Sequence, residues 1–277
     1  MTFTWIVAAV VGVLPVANAA AVIDDFSDLN DTVNPTWTHL DGYAASTGQV
    51  WDASTGQYRF TAPNNGTVAL GFIGSYVGPV MSNVTVSADV TSFVGPPAGA
   101  VFGVGARLNG LNGVGQLTGY AYAYEPFAAG GAGEVVLYRI NPGLSITDIG
   151  SQQVTLDPRK DYTFVLDIQG SNLHGQVFEI GGGMVAQGFA VDATYASGYS
   201  GLAAYSQDPV PPVDVTWDNF MSIPEPPTCL LLLLGTGAVL LIRRPRACAS
   251  GAHSASAAMR CACWCAAKTA RKSGSRT

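Results

Sequence analysis

The chain has 277 residues, 48% hydrophobic and only 12% charged, with a net charge of −6. All nineteen acidic residues lie between Asp24 and Glu225, where only Arg59, Arg107, Arg139, Arg159 and Lys160 oppose them, a local balance of −14. That sign is wrong for nucleic acid or an anionic membrane surface, and the lack of cysteine from Ala20 to Thr228 excludes a disulfide framework there. About 200 residues are enough to bury a sizeable core without such staples.

Trp5 to Val16 are almost wholly apolar, and Ala17-Asn18-Ala19 supplies a small-x-small cleavage pattern. Residues 1–19 therefore read as a secretory signal peptide, whose apolar stretch is too short to span a bilayer. Met1 to Thr4 carry no Lys or Arg, which departs from the usual leader.

Residues 20–222 read as strands separated by Gly, Pro and Asn punctuation. Asp24, Asp25, Asp28 and Asp31 place four carboxylates in eight residues. They are either a solvated acidic segment or the hard-oxygen ligands of a structural calcium ion, with Asp218 joining from the last strand. Val84, Val86, Ala88 and Val90 alternate with Thr85, Ser87, Asp89 and Thr91, a period-two pattern with one buried and one wet face. Tyr162 to Ile168 and Val213 to Trp217 repeat it. Further strands are expected at 67–73, 100–108, 119–124, 134–140, 173–180, 185–191 and 200–205, with turns at Asn109-Gly110, Asn141-Pro142-Gly143 and Gly181-Gly182-Gly183. About ten strands at this spacing predict an all-β, antiparallel β-sandwich of jelly-roll type.

Tyr120, Tyr122 and Tyr124 share one face of a strand, with Ala121 and Ala123 on the other. Two placements are open: an exposed row that stacks sugar rings, or a core row with the alanines outside. Trp37 and Trp51 are expected to be buried. Glu125 and Glu134 could meet across a hairpin as a retaining glycosidase pair. His39 and His174 are isolated, and no nucleophile elbow serves them. Gly103-Val104-Gly105 precedes no helix and is no dinucleotide motif.

The opening Asp24-Asp25-Phe26, the Gly103-Val104-Gly105-Ala106-Arg107 strand, Gly119-Tyr120, Val136 to Arg139, Tyr162-Thr163-Phe164, the block Asp192 to Leu202 and the closing Trp217-Asp218-Asn219-Phe220 follow one another in an order that resembles the concanavalin A-like (laminin G-like) lectin/glucanase superfamily. The resemblance implies that the first and last strands pair, bringing Asp24 and Asp25 near Asp218. It also implies a concave face of the kind that binds polysaccharide. The Glu-x-Asp-x-x-Glu strand of the superfamily's glucanases has no counterpart here, so a non-enzymatic module is expected.

Pro224, Glu225 and Pro226 precede an apolar run from Leu230 to Ile242, and Arg243 and Arg244 follow at once. That order resembles the PEP-CTERM sorting signal of exported Gram-negative proteins, placed here at residues 223–246. It implies recognition by an exosortase, a transmembrane helix over 228–242 with the arginines inside, and delivery to the envelope membrane or extracellular matrix. The run is short for a full span. Residues 247–277 continue as an Ala-, Ser- and Arg-rich tail, where Cys261, Cys263 and Cys265 lack common zinc-site spacing. The expectation for the whole is an exported, C-terminally sorted protein whose sandwich binds glycan or acts structurally in exopolysaccharide. A divergent glycoside hydrolase and a protein-binding adhesion module are the alternatives.

Overall fold

The computed structural model describes residues 19–40, 48–63, 71–95, 99–111, 116–128, 130–143, 145–206 and 212–225. These residues form strands and turns: β1 (Val22–Asp24), β2 (Thr38–His39), β3 (Val50–Asp52), β4 (Tyr58–Ala62), β5 (Gly71–Met81), β6 (Val84–Phe93), β7 (Val101–Asn109), β8 (Thr118–Glu125), β9 (Glu134–Asn141), β10 (Ser145–Gln153), β11 (Tyr162–Gln169), β12 (Asn172–Glu179), β13 (Met184–Val191), β14 (Gly198–Ser206) and β15 (Val213–Pro224). One sheet runs β13-β12-β11-β6-β15-β4-β3, with β1 added on β15; the other runs β10-β9-β8-β7-β14-β5-β2. Every pairing is antiparallel.

The alternation read at 84–91, 162–168 and 213–217 appears as β6, β11 and β15, which lie side by side. Their apolar members Val86, Val90, Phe164, Leu166, Val215 and Trp217 face the second sheet and are fully buried. From that sheet Phe102, Val104, Tyr122, Leu137 and Leu202 complete one core. Burial of this apolar surface is what holds the two layers together.

β1 does pair with β15, Asp24 standing opposite Phe220. β15 continues past residue 222 to Pro224, which lies opposite Val84. Glu225 follows it onto the sandwich: its N–H donates to Asn83 O at 3.2 Å, and its Oε1 accepts from Thr85 Oγ1 at 2.9 Å. Among the described residues no helix is long and apolar enough to cross a membrane. Residues 1–18 of the signal peptide, Pro226, the run over 228–242, Arg243, Arg244 and the tail lie outside the described residues.

Tyr122 shows how the layers fit. Its ring lies where a side chain on Gly175 of β12 would project: a Cβ there would sit 2.4 Å from Tyr122 Cδ2. Gly175→Ala is therefore expected to destabilise the fold by about 1–3 kcal/mol through overpacking. Thermal denaturation of the variant measures this, and an unchanged midpoint would show that the ring can move aside.

Candidate functional site

The tyrosine row resolves to the second of its two placements. Tyr120, Tyr122 and Tyr124 are all fully buried between the sheets, so they cannot stack sugar rings. The reason is local. On β8 the alternative face presents only Ala121 and Ala123, which cannot fill the space opposite β12 and Gly175. Tyr120 Oη donates to Asp192 Oδ1 at 2.7 Å and accepts from Tyr195 N at 3.1 Å. Tyr124 Oη accepts from Leu156 N at 3.2 Å. The Tyr122 hydroxyl has no partner among the described residues, and burial alone pushes its pKa up.

The calcium set is not assembled either. Asp24 is buried, with Oδ1 accepting from Phe26 N at 2.8 Å and Oδ2 from Trp37 Nε1 at 2.7 Å. Burial raises its pKa against the pull of those two bonds. Asp25 faces solvent and accepts from Ser27. Asp218 lies on the other side of β15, accepting from Asn219 N at 2.8 Å. Strand pairing brings these residues into one region, but each carboxylate already accepts hydrogen bonds from its own neighbours. Among the described residues no group of three His, Cys, Asp or Glu could hold a metal ion.

Trp37 is buried as expected, whereas Trp51 is half-buried and stacks flat on His39 at 4.4 Å. His39 Nε2 lies 2.6 Å from Asp31 Oδ2, so Asp31 serves to tie the N-terminal segment down.

With the core assigned, the outer faces distinguish the sheets. On the β6-β11-β15 side many outward residues are hydrophilic, alongside the exposed Met221 and Ile223 of β15. Thr163 bonds Asp89, Asn219 Nδ2 donates to Asp89 Oδ2 at 2.9 Å, and Thr85 Oγ1 lies 3.1 Å from Asp167 Oδ1. At the β13 edge Phe189 is exposed and stacked on His174 at 4.1 Å, and Val191 of the same strand is exposed as well.

The opposite outer face is aromatic and small. In one transverse row Tyr76 stands opposite Gly201, Gly201 opposite Gly105, Gly105 opposite Ala121, and Ala121 opposite Tyr138. The next row is Gly74, Ala203, Gly103, Ala123 and Val136. With strands about 4.8 Å apart, Tyr76 and Tyr138 are separated by about 19 Å across the sheet. Tyr199 and Tyr205 of β14 add two half-buried rings to this face. Low relief between aromatic margins results, with Leu108 lying over Gly105 and Gly201.

At one end of this face Glu125 and Glu134 are directly opposite across the β8–β9 hairpin. Tyr138 Oη donates to Glu125 Oε2 at 2.7 Å. Burial raises the Glu125 pKa, the Tyr138 bond opposes that, and Glu134 and Asp148 add to it. At the other end the face is fixed from behind by Arg107. Its buried guanidinium donates to Ser82 O at 2.7 Å, Tyr195 O at 2.7 Å and Gly170 O at 2.8 Å, tying three connections together.

Sequence reasoning missed Tyr76, Tyr138, Tyr199 and Tyr205. The available signal was the run of Gly and Ala at alternate positions on 101–105, 119–123 and 201–204, which marks a sheet face without bulk.

No protein-family model matches the chain, and no curated protein matches it. Among solved structures it is similar to a Bacillus subtilis protein with a galectin-like fold, at 10% identity and a TM-score of 0.52 over 74% of this chain and 96% of that one. It is also similar to the CBM2 module of the evolved Dit of Lactobacillus casei BL23 phage J-1, at 12% identity and a TM-score of 0.51 over 74% of this chain and 95% of that one. A likeness to the carbohydrate-binding module CBM66 of Bacillus subtilis has 14% identity and a TM-score of 0.43 over 68% of this chain and 94% of that one. At these identities the two higher scores show the fold alone, a β-sandwich of galectin-like form.

Proposed function

We propose that this protein is a non-catalytic glycan-binding module whose ligand lies on the outer face of the β10-β9-β8-β7-β14-β5-β2 sheet. The observation that carries the reading is the set of half-buried tyrosines on that face, Tyr76, Tyr199 and Tyr205, beside a row of Gly and Ala. Tyrosine rings offer apolar planes to the C–H faces of sugars and hydroxyls to their oxygens. The galectin-like fold supports the reading, since it is an architecture that presents a broad sheet face. The test is retention of the full chain by a panel of neutral and acidic polysaccharides. Saturable retention by at least one class is expected, weakened about tenfold by Tyr205→Ala, as loss of about 1.4 kcal/mol implies, and unchanged by Phe189→Ala on the other sheet. Absence of retention by every polysaccharide would refute the reading.

The register of Glu125 against Glu134 favours one second reading, a glycoside hydrolase with Glu125 as the acid. It predicts release of reducing ends from a bound polysaccharide, abolished by Glu134→Gln; binding without release leaves a module that only binds.

Export and sorting belong to the same proposal. The leader, the Pro-Glu-Pro, the apolar run and the arginines support delivery by an exosortase to the envelope or extracellular matrix of a Gram-negative bacterium. Deletion of residues 224–246 is expected to send the domain into the medium. Unchanged envelope retention would remove the sorting role.

A further inference from the structure

The end of β15 carries the start of the Pro-Glu-Pro into the sandwich. Ile223 stands opposite Thr85 and Pro224 opposite Val84, at the beginning of β6. Pro224 and Glu225 are both half-buried there. A proline has no N–H, so Glu225 holds the sole main-chain donor of residues 224–226. That donor is engaged: Glu225 N bonds Asn83 O at 3.2 Å. The side chain is held as well, its Oε1 accepting from Thr85 Oγ1 at 2.9 Å.

The receiving turn is fixed by groups outside β15. Asn83 Oδ1 accepts from Gly170 N at 2.9 Å. Arg107 donates to Ser82 O at 2.7 Å and to Gly170 O at 2.8 Å. The carbonyl that meets Glu225 N is therefore set in place before β15 arrives. The side-chain contact is less secure. Asp167 of β11 stands opposite Thr85, and its Oδ1 lies 3.1 Å from the same Thr85 Oγ1. A hydroxyl has one proton to donate. Asp167 competes for it, and its like charge opposes Glu225.

We propose that the folded sandwich masks the Pro-Glu-Pro, with Glu225 as a latch that has to open before an exosortase reads the motif. The inference rests on the sorting reading above and adds to it a step controlled by the fold. A partner that takes up an extended chain relies on main-chain hydrogen bonds. The one N–H of the motif and its carboxylate are already engaged by the sandwich. Opening breaks those two bonds and the last pairing of β15 with β6. It leaves the core intact, because the last buried residue of β15 is Ser222. A strand end of this kind opens locally, without global unfolding.

The experiment follows newly made full chain by pulse–chase in a Gram-negative host that contains an exosortase, reading the rate of sorting. Hydrogen exchange of the Glu225 amide in the purified full chain reads the latch itself, and a protected amide is expected. Thr85→Val keeps the side-chain shape and removes the hydroxyl. It should speed amide exchange and sorting alike by about fivefold, the factor that one lost hydrogen bond implies. Asp167→Asn removes the rival charge and supplies an amide donor, so it should slow both by about threefold. Gly175→Ala loosens the sandwich away from the end of β15 and should change neither rate by more than about twofold. An unprotected Glu225 amide in the wild type would remove the latch. Amide exchange that answers to Thr85→Val and Asp167→Asn while sorting does not would overturn the masking, since the motif would then be read before the sandwich folds. Equal acceleration by Gly175→Ala would also overturn it, because overall stability would then set the rate. Envelope retention unchanged by deletion of residues 224–246 would instead remove the sorting reading, and the masking with it.

Discussion

Arg107→Ala is expected to lower the unfolding free energy by about 3–5 kcal/mol, the range seen when a buried charged group with several partners is removed. The side chain is 2% exposed. Its three donors satisfy the carbonyls of Ser82, Gly170 and Tyr195, which belong to the β5–β6, β11–β12 and β13–β14 connections. Without the guanidinium these carbonyls lose their donor; water can replace it at the exposed Ser82 and Gly170, while the half-buried Tyr195 carbonyl carries a cost of about 1–3 kcal/mol in addition to the lost packing of the side chain. Burial lowers the Arg107 pKa, but a guanidinium remains charged at neutral pH. Arg107→Lys should recover less than half of the loss, because an ammonium lacks the planar fork that reaches three carbonyls at once. Urea denaturation of the three proteins measures this, and a cost below about 1 kcal/mol for alanine would contradict the clamp. The clamp also bears on the candidate site. Asn109 and Tyr199 flank the connections it ties, so Arg107→Ala should weaken glycan retention along with stability.

Asp192→Asn carries the second large effect, about 2–3 kcal/mol at pH 7, together with a change in acid sensitivity. The carboxylate is almost wholly buried and faces Arg139 Nη1 at 2.7 Å, Tyr120 Oη at 2.7 Å and Thr194 N at 2.8 Å. Burial alone would raise its pKa, but the bonds from Thr194, Tyr120 and Arg139 outweigh it and hold the pKa well below the usual aspartate range. A carboxyl depressed in the folded state binds fewer protons there than in the unfolded chain. Its stabilisation is therefore full above about pH 4 and is lost as pH falls through the folded value. Melting curves of wild type and Asp192→Asn should differ most at pH 7 and converge between about pH 4 and pH 2. A gap that stays constant across that interval would mean that the carboxylate's charge is irrelevant to the fold.

What was legible in the chain follows the physics of burial. β6, β11 and β15 declared themselves because each has one face in the core and one in water. β10 did not: Ser145-Ile146-Thr147-Asp148-Ile149-Gly150 lies at a sheet edge with mostly exposed residues, so no apolar alternation marks it. β4 was legible in principle, since Tyr58, Phe60 and Ala62 are buried and Arg59 is exposed, but five residues give a weak pattern. The orientation of Tyr120, Tyr122 and Tyr124 was undecidable from periodicity, which gives the face of a strand and not its direction. Gly175 and Gly133 decide it, because Cβ atoms there would each lie 2.4 Å from a tyrosine of this row. Arg107 could not be assigned from sequence at all, since its partners are main-chain carbonyls 25, 63 and 88 residues away.

The central claim is that the aromatic outer face, and not the hydrophilic one, is where glycan lies. Hydrogen–deuterium exchange of the full chain with and without the best-retained polysaccharide tests it directly. Protection confined to β5, β14 and the β7–β8 hairpin is the predicted result. Protection on β11, β12 and β13 with none on the tyrosine-bearing sheet would contradict it.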